Sequence, residues 1–179
     1  VAAFGTLIVD RDQVRHRMHI ALLEGRNAET VWGPRLGVRW WRFGAGILLG
    51  LACGTKWSGL YFVLFFGAMS LAFDVAARRQ YQVTRPWLGT LRRDLGPTAY
   101  ALAVMPVLVY LASYAPWFAS ETAIDRHEVG QTIGPQSVVP LPYAIRSLWH
   151  YTAKAFQFHA GLTNSAGNPI AAVNAIQNF

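Results

Sequence analysis

Apolar residues in this chain gather into long runs, and the charges collect between the runs rather than within them. Residues 98–118 carry no charged side chain, and a stretch of about 20 such residues is what a membrane-spanning helix needs. Pro106 falls in its middle and predicts a kink, because proline lacks an N–H and crowds the preceding turn. Tyr114 and Trp117 suit an interface. Between Trp40 and Ala77 the apolar pattern is too long for one crossing. As a single helix it would reach about 57 Å at 1.5 Å per residue, against a hydrocarbon core of about 30 Å. The pattern therefore predicts two helices, about 40–54 and 58–77, with a turn at residues 54–59. Gly44, Gly46, Gly50 and Gly54 include small residues at i, i+4 spacing in the first and would let a neighbouring helix approach closely. Residues 1–9 read as the tail of a further membrane helix, followed by a loop over 10–39. The chain thus reads as a piece of a longer membrane protein.

Charge orients these spans. Arg11, Arg15, Arg17, Arg26, Arg35, Arg39 and Arg42 precede the hairpin, and Arg78, Arg79, Arg85, Arg92 and Arg93 follow it. The longer stretch 119–179 holds Arg126, Arg146 and Lys154. By the positive-inside rule the first two segments are cytoplasmic, with Arg39 and Arg42 snorkelling to the interface beside Trp40 and Trp41. Crossings alternate, so the turn around Lys56 and the tail 119–179 share the extracytoplasmic side. In that tail, 119–142 reads as an irregular loop rich in Gly and Pro. Residues 143–159 show helical period: Ile145, Leu148, Trp149, Thr152, Phe156 and His159 share one face, and Arg146, His150 and Lys154 another. Such an amphipathic helix can lie on a membrane surface.

Composition agrees. With 53% hydrophobic and 14% charged residues, the chain is too apolar for an ordinary soluble domain. Its net charge of +7 sits beside the apolar runs, which points to membrane lipids and not to nucleic acid. The single cysteine, Cys53, excludes an internal disulfide.

Lys56 is the sole charged residue between Phe43 and Phe73. A bare ammonium near bilayer depth is costly, so it lies at a water-facing boundary or meets an anion. It reads either as a topology-setting lysine at a helix end or as a phosphate contact. Thr55 and Ser58 add hydroxyls, Trp57 can anchor at headgroup level, and lysine is a good point-charge partner for phosphate. Arg146 and His150 read either as the headgroup side of a surface helix or as substrate contacts. His16 and His19 have a spacing that permits metal binding on a helix, with no carboxylate or thiol completing the set. His127 with Glu121, Asp125 and Glu128 reads as a solvated loop. No nucleotide-binding loop, nucleophile elbow or convincing general base stands out.

The run 51–59, Leu-Ala-Cys-Gly-Thr-Lys-Trp-Ser-Gly, resembles the turn of protein O-mannosyltransferases, especially the actinobacterial ones. Arg146-Ser147-Leu148-Trp149-His150-Tyr151 and the later Phe158-His159-Ala160-Gly161-Leu162-Thr163-Asn164 resemble that family's outer-loop motif, and Asp10-Arg11-Asp12 after a membrane helix fits as well. The likeness covers roughly residues 1–167. It implies an all-α, multi-span GT-C type glycosyltransferase with an extracytoplasmic loop bearing the amphipathic helix. The implied reaction moves mannose from polyprenyl phosphate mannose to Ser or Thr of exported proteins at the cell membrane. On this resemblance Lys56 contacts the donor phosphate, with Arg146 or His150 as helpers; Thr55, Trp57, Ser58 and Trp149 support it, and His159 shapes the acceptor side or orients its neighbours. The family's catalytic acid lies upstream of Val1, so no catalytic base is expected in this stretch. Asn168-Pro169-Ile170-Ala171-Ala172 departs from the family's His-Pro-aromatic-Glu continuation. No cofactor is certain, and metal dependence stays open. The alternatives are a transporter or channel subunit binding an anion at Lys56, and a non-catalytic remnant.

Overall fold

The computed structural model describes residues 1–26, 31–56, 58–124 and 143–161, and among them every regular element is a helix. They fall into two units, Val1–Ser113 and Tyr114–Phe179. The first contains α1 (Ala2–Leu23), α2 (Trp40–Thr55), α3 (Gly59–Gln80), α4 (Pro86–Arg93) and α5 (Leu95–Ser113). The second contains a short α6 (Ala115–Ala119) and α7 (Tyr143–Gly161).

α1 runs well beyond Val9, where the apolar run ends and a loop was expected. The cause is visible in its buried positions: Leu7, Asp10, Val14, Met18 and Ala21 recur at three- and four-residue steps, so one helical face continues through the polar residues. α2 and α3 form the expected hairpin. The run expected to be helical over 98–118 begins earlier, at Leu95, and breaks at Tyr114, two residues before Pro116. That proline offers no N–H to Ala112, and it stands instead in the first turn of the next helix, where no N–H is needed.

Pro106 perturbs α5 as its chemistry requires. It cannot donate to Leu102, and its ring crowds that carbonyl. The preceding turn, Tyr100–Val104, widens to a π-helix whose Met105 N–H reaches back to the Tyr100 carbonyl, the usual relief for such crowding.

α3 and α5 are long and apolar enough to cross a membrane. Their outward faces are apolar too: Leu60, Tyr61, Leu64 and Phe65 on α3 and Val104, Val107 and Leu108 on α5 are exposed. Water is a poor solvent for such faces, whereas lipid tails are not. Inside, Ala3 and Leu7 of α1, Ala45 and Leu49 of α2, Val63 of α3 and Ala101 and Leu102 of α5 form one core. A second core follows further along α1, where Val14 and Met18 meet Leu36, Ala77 and Val83.

Gly46 and Gly50 act as the glycine spacing predicts, and Gly44 does not. A Cβ at Gly50 would lie 2.6 Å from the Val109 Cβ and 2.8 Å from the Pro106 carbonyl oxygen. One at Gly46 would overlap the Ala101 carbonyl oxygen, whereas one at Gly44 would meet nothing within 4 Å. Backbone thus packs on backbone between α2 and α5. Gly46→Ala is expected to lower stability by about 1–3 kcal/mol, the usual cost of overpacking. Gly44→Ala should be neutral or stabilising by up to about 1 kcal/mol. Denaturation midpoints of a full-length protein carrying this segment check both.

Candidate functional site

The first unit has two chemically different ends. At one, α2 stops and α3 starts. Lys56 caps α2 in an extended conformation (φ −149°, ψ 133°), and its N–H donates to the Ala52 carbonyl at 2.9 Å. Its carbonyl accepts the Gly59 N–H at 2.9 Å, which closes the turn. Gly59 is required here: a Cβ would come 2.8 Å from the Cys53 nitrogen. The last turn of α5 reaches the same end, since a Cβ at Gly54 would stand 3.0 Å from the Ser113 Oγ. Lys56 and Thr55 are exposed, and Ser58 is half-buried. The Thr55 hydroxyl donates to the Leu51 carbonyl at 3.0 Å, so it stabilises the helix end first and can receive a further donor. Ser58 precedes α3 with its hydroxyl making no cap bond. Trp57 lies outside the described residues.

The opposite end is an ionic knot, which sequence reading missed. Arg39 and Arg42 were expected to snorkel; they are instead 5% and 1% exposed. Asp10 of α1 accepts from Arg39 through both carboxylate oxygens, at 3.0 and 2.5 Å. Asp74 of α3 accepts a paired fork from Arg42 at 2.9 and 3.0 Å and a further bond from Arg39 at 2.8 Å. Arg42 Nε closes the square onto Asp10 at 3.1 Å, and its Nη1 donates to the Thr98 hydroxyl of α5. Two acids and two bases, one fork on each acid, give a neutral unit; bidentate geometry of this sort is what lets buried charges persist. Burial alone would weaken the charge on Arg39, yet Asp74 and Asp10 hold its pKa above the ordinary guanidinium value. The arginines do not snorkel because carboxylates meet them inside. The signal was present as Asp74 within an apolar run, a position where an unpaired acid is too costly to leave alone.

A second buried pair lies beside it. Arg78 donates to Asp94 at 2.9 Å and to the Trp32 carbonyl at 2.6 Å. It thereby ties the segment before α2 to α3 and to the start of α5. Gly33 is left-handed (φ 73°) and sits against Arg78 and Val83, which only glycine allows.

In the second unit, Tyr114, Trp117 and Tyr151 form an aromatic group with centroids 6.0–6.5 Å apart. On α7, Leu148 and Thr152 are buried as expected, but so is Ser147, and Trp149 is 76% exposed. The face expected to be apolar is therefore rotated, with Trp149 outside it. Arg146 and His150 are half-buried and Lys154 is exposed. His159 lies within α7, its side chain outside the described part; Asp125, His127 and Glu128 also lie outside it. His16 and His19 are exposed, the latter with its ring 6.0 Å from Tyr81.

No family model matches the chain, and no solved structure matches it. Curated relatives do. A Mycobacterium tuberculosis (strain H37Rv) protein named polyprenol-phosphate-mannose–protein mannosyltransferase is 82% identical over 168 residues, 94% of this chain and 32% of the relative. Proteins of the same name from Mycolicibacterium smegmatis (strain MKD8) and Corynebacterium glutamicum are 70% and 41% identical, over 94% and 93% of this chain. The chain spans about a third of the length of these relatives. Along that third, the chain is similar to proteins named polyprenol-phosphate-mannose–protein mannosyltransferase.

Proposed function

We propose that this chain forms the donor-phosphate end of a multi-pass GT-C type mannosyltransferase in the cell membrane. That enzyme would pass mannose from polyprenyl phosphate mannose to Ser or Thr hydroxyls of exported proteins. The observation that carries the reading is Lys56, an exposed cation at the turn of the hairpin and the sole charged residue between Phe43 and Phe73. The relatives' names supply the class of donor; they give no support to transport.

The chemistry assigned to Lys56 is electrostatic. When mannose leaves the carrier, a phosphodiester becomes a phosphate monoester and gains negative charge. A fixed ammonium beside it stabilises the transition state more than the ground state. The acceptor hydroxyl loses its proton to a carboxylate carried elsewhere in the enzyme, and the transfer inverts. Arg146 and His150 join the reading through the family resemblance as further phosphate contacts, and His159 as a residue of the acceptor side.

The reading requires the ionic knot to face the cytosol and Lys56 to face outward, as the arginine-rich segments 10–42 and 78–93 support. Ser58→Cys in an otherwise cysteine-free full-length protein should react with an impermeant thiol reagent added outside intact cells. Labelling solely after the cytosolic face is opened would end the proposal. With the orientation established, radiolabelled polyprenyl phosphate mannose and an acceptor peptide, given to membranes holding that protein, should yield labelled peptide.

A further inference from the structure

A cleft of about 700 Å³ opens beside the ionic knot, with Arg35, Arg92 and Arg93 on its walls and Trp32, Leu36 and Pro97 as its apolar part. Its volume is that of a small-ligand site. The acid on its lining, Asp94, is already engaged by Arg78 at 2.9 Å, and the fourth lining arginine, Arg39, is held by Asp10 and Asp74. Arg35 and Arg92 therefore bring added positive charge to one place. Arg92 is fixed there by stacking 4.0 Å over the Trp32 ring. Arg93 has its pKa lowered, first by burial and then by the neighbouring charges of Arg35 and Arg78. A site crowded with like charge favours an anion.

The surroundings say which anion. Pro97 and Asp94 stand at the first turn of α5, the end of a candidate span. Immediately before it, α4 presents Trp87, Leu88 and Leu91 outward, and Leu95 continues that exposed face. A short helix with an apolar outer face and an arginine flank, joined to a spanning helix, is the pattern of an element lying in the headgroup layer. Arginine forks match phosphate oxygens. The cleft lies at the opposite end of α2 from Lys56, and α2 has 16 residues, about 24 Å at 1.5 Å each.

We propose that this cleft holds the phosphate of an anionic phospholipid headgroup from the adjoining leaflet, a second anion site separate from the one assigned to Lys56. It uses the reading of α5 as a span and owes nothing to the donor reading.

The test is native mass spectrometry of a full-length protein carrying this segment, purified with phosphatidylglycerol and phosphatidylcholine in equal amounts. Wild type should retain phosphatidylglycerol preferentially. Each arginine near a membrane surface is worth about 1 kcal/mol, so Arg35→Gln with Arg92→Gln should weaken that preference by about 25-fold. Arg35→Glu alters one exposed side chain and should reduce it by at least about fivefold without affecting the fold. Lys56→Ala should leave it unchanged. Inorganic phosphate at millimolar concentration should fail to displace the lipid. Equal retention in Arg35→Glu and wild type, or no lipid preference in wild type, overturns the proposal. Displacement by inorganic phosphate overturns the lipid as the source. Loss of the preference in Lys56→Ala overturns the separateness of the two sites.

Discussion

Asp74→Ala is expected to cost about 3–5 kcal/mol of stability, the range for breaking a buried ion pair from one side. The carboxylate accepts three bonds, a fork from Arg42 and a single bond from Arg39. Both guanidinium groups are nearly inaccessible to water. Without Asp74, Asp10 would face two guanidinium charges alone, and the knot would carry a net positive charge where solvent cannot reach it. The same reasoning sets a sharper expectation. Removing acid and base together, as Asp74→Leu with Arg42→Met, should be less damaging than Asp74→Leu alone, because no lone charge remains. Thermal unfolding of the full-length protein in one detergent measures all three. A loss below about 1 kcal/mol for Asp74→Ala would mean that the pair is solvated and contributes as a surface bridge does.

That knot also marks the limit of what could be read from sequence. The α2–α3 hairpin was legible because no bilayer accommodates so long an apolar run in one crossing, and because a lysine between two glycines marks where it turns. The close α2–α5 packing was legible in glycine spacing. The partners of Arg39 and Arg42 were not. Asp10 lies 29 positions before Arg39, and Asp74 lies 35 after it; periodicity within one element carries no information about such pairing. Counting arginines for topology treats each as a solvated charge, and these two are internal struts. The same habit hid the second half of α1: charges at Arg11, Asp12, Arg15 and Arg17 resemble a loop until Val14, Met18 and Ala21 are seen on one buried face. On α7 the period was legible and the phase was not, since Trp149 is apolar enough to be assigned inward and large enough to anchor at an interface outward. At the hairpin turn, the charge of Lys56 was legible; its ligand rests on chemistry and on relatives.

Lys56→Ala in a full-length protein of this family is therefore the decisive substitution for function. Its transfer rate should fall at least about tenfold, which corresponds to about 1.4 kcal/mol of lost transition-state stabilisation. The side chain is exposed and its backbone bonds to Ala52 and Gly59 do not depend on it, so insertion and unfolding should match wild type. The kinetic form of the loss is diagnostic. The bound donor presents one negative charge, and the departing phosphate monoester carries about two at neutral pH. An ammonium aimed at that oxygen acts chiefly as the second charge develops, so kcat should fall more than KM rises. Lys56→Arg keeps the charge but replaces a compact ammonium with a broad planar fork, and should recover part of the rate and not all of it. A topology-setting lysine predicts something else: wild-type kcat in Lys56→Ala for every correctly inserted molecule, and full equivalence of Lys56→Arg. Measured per inserted molecule, kcat separates a cation that orients a hairpin from one that stabilises a leaving group.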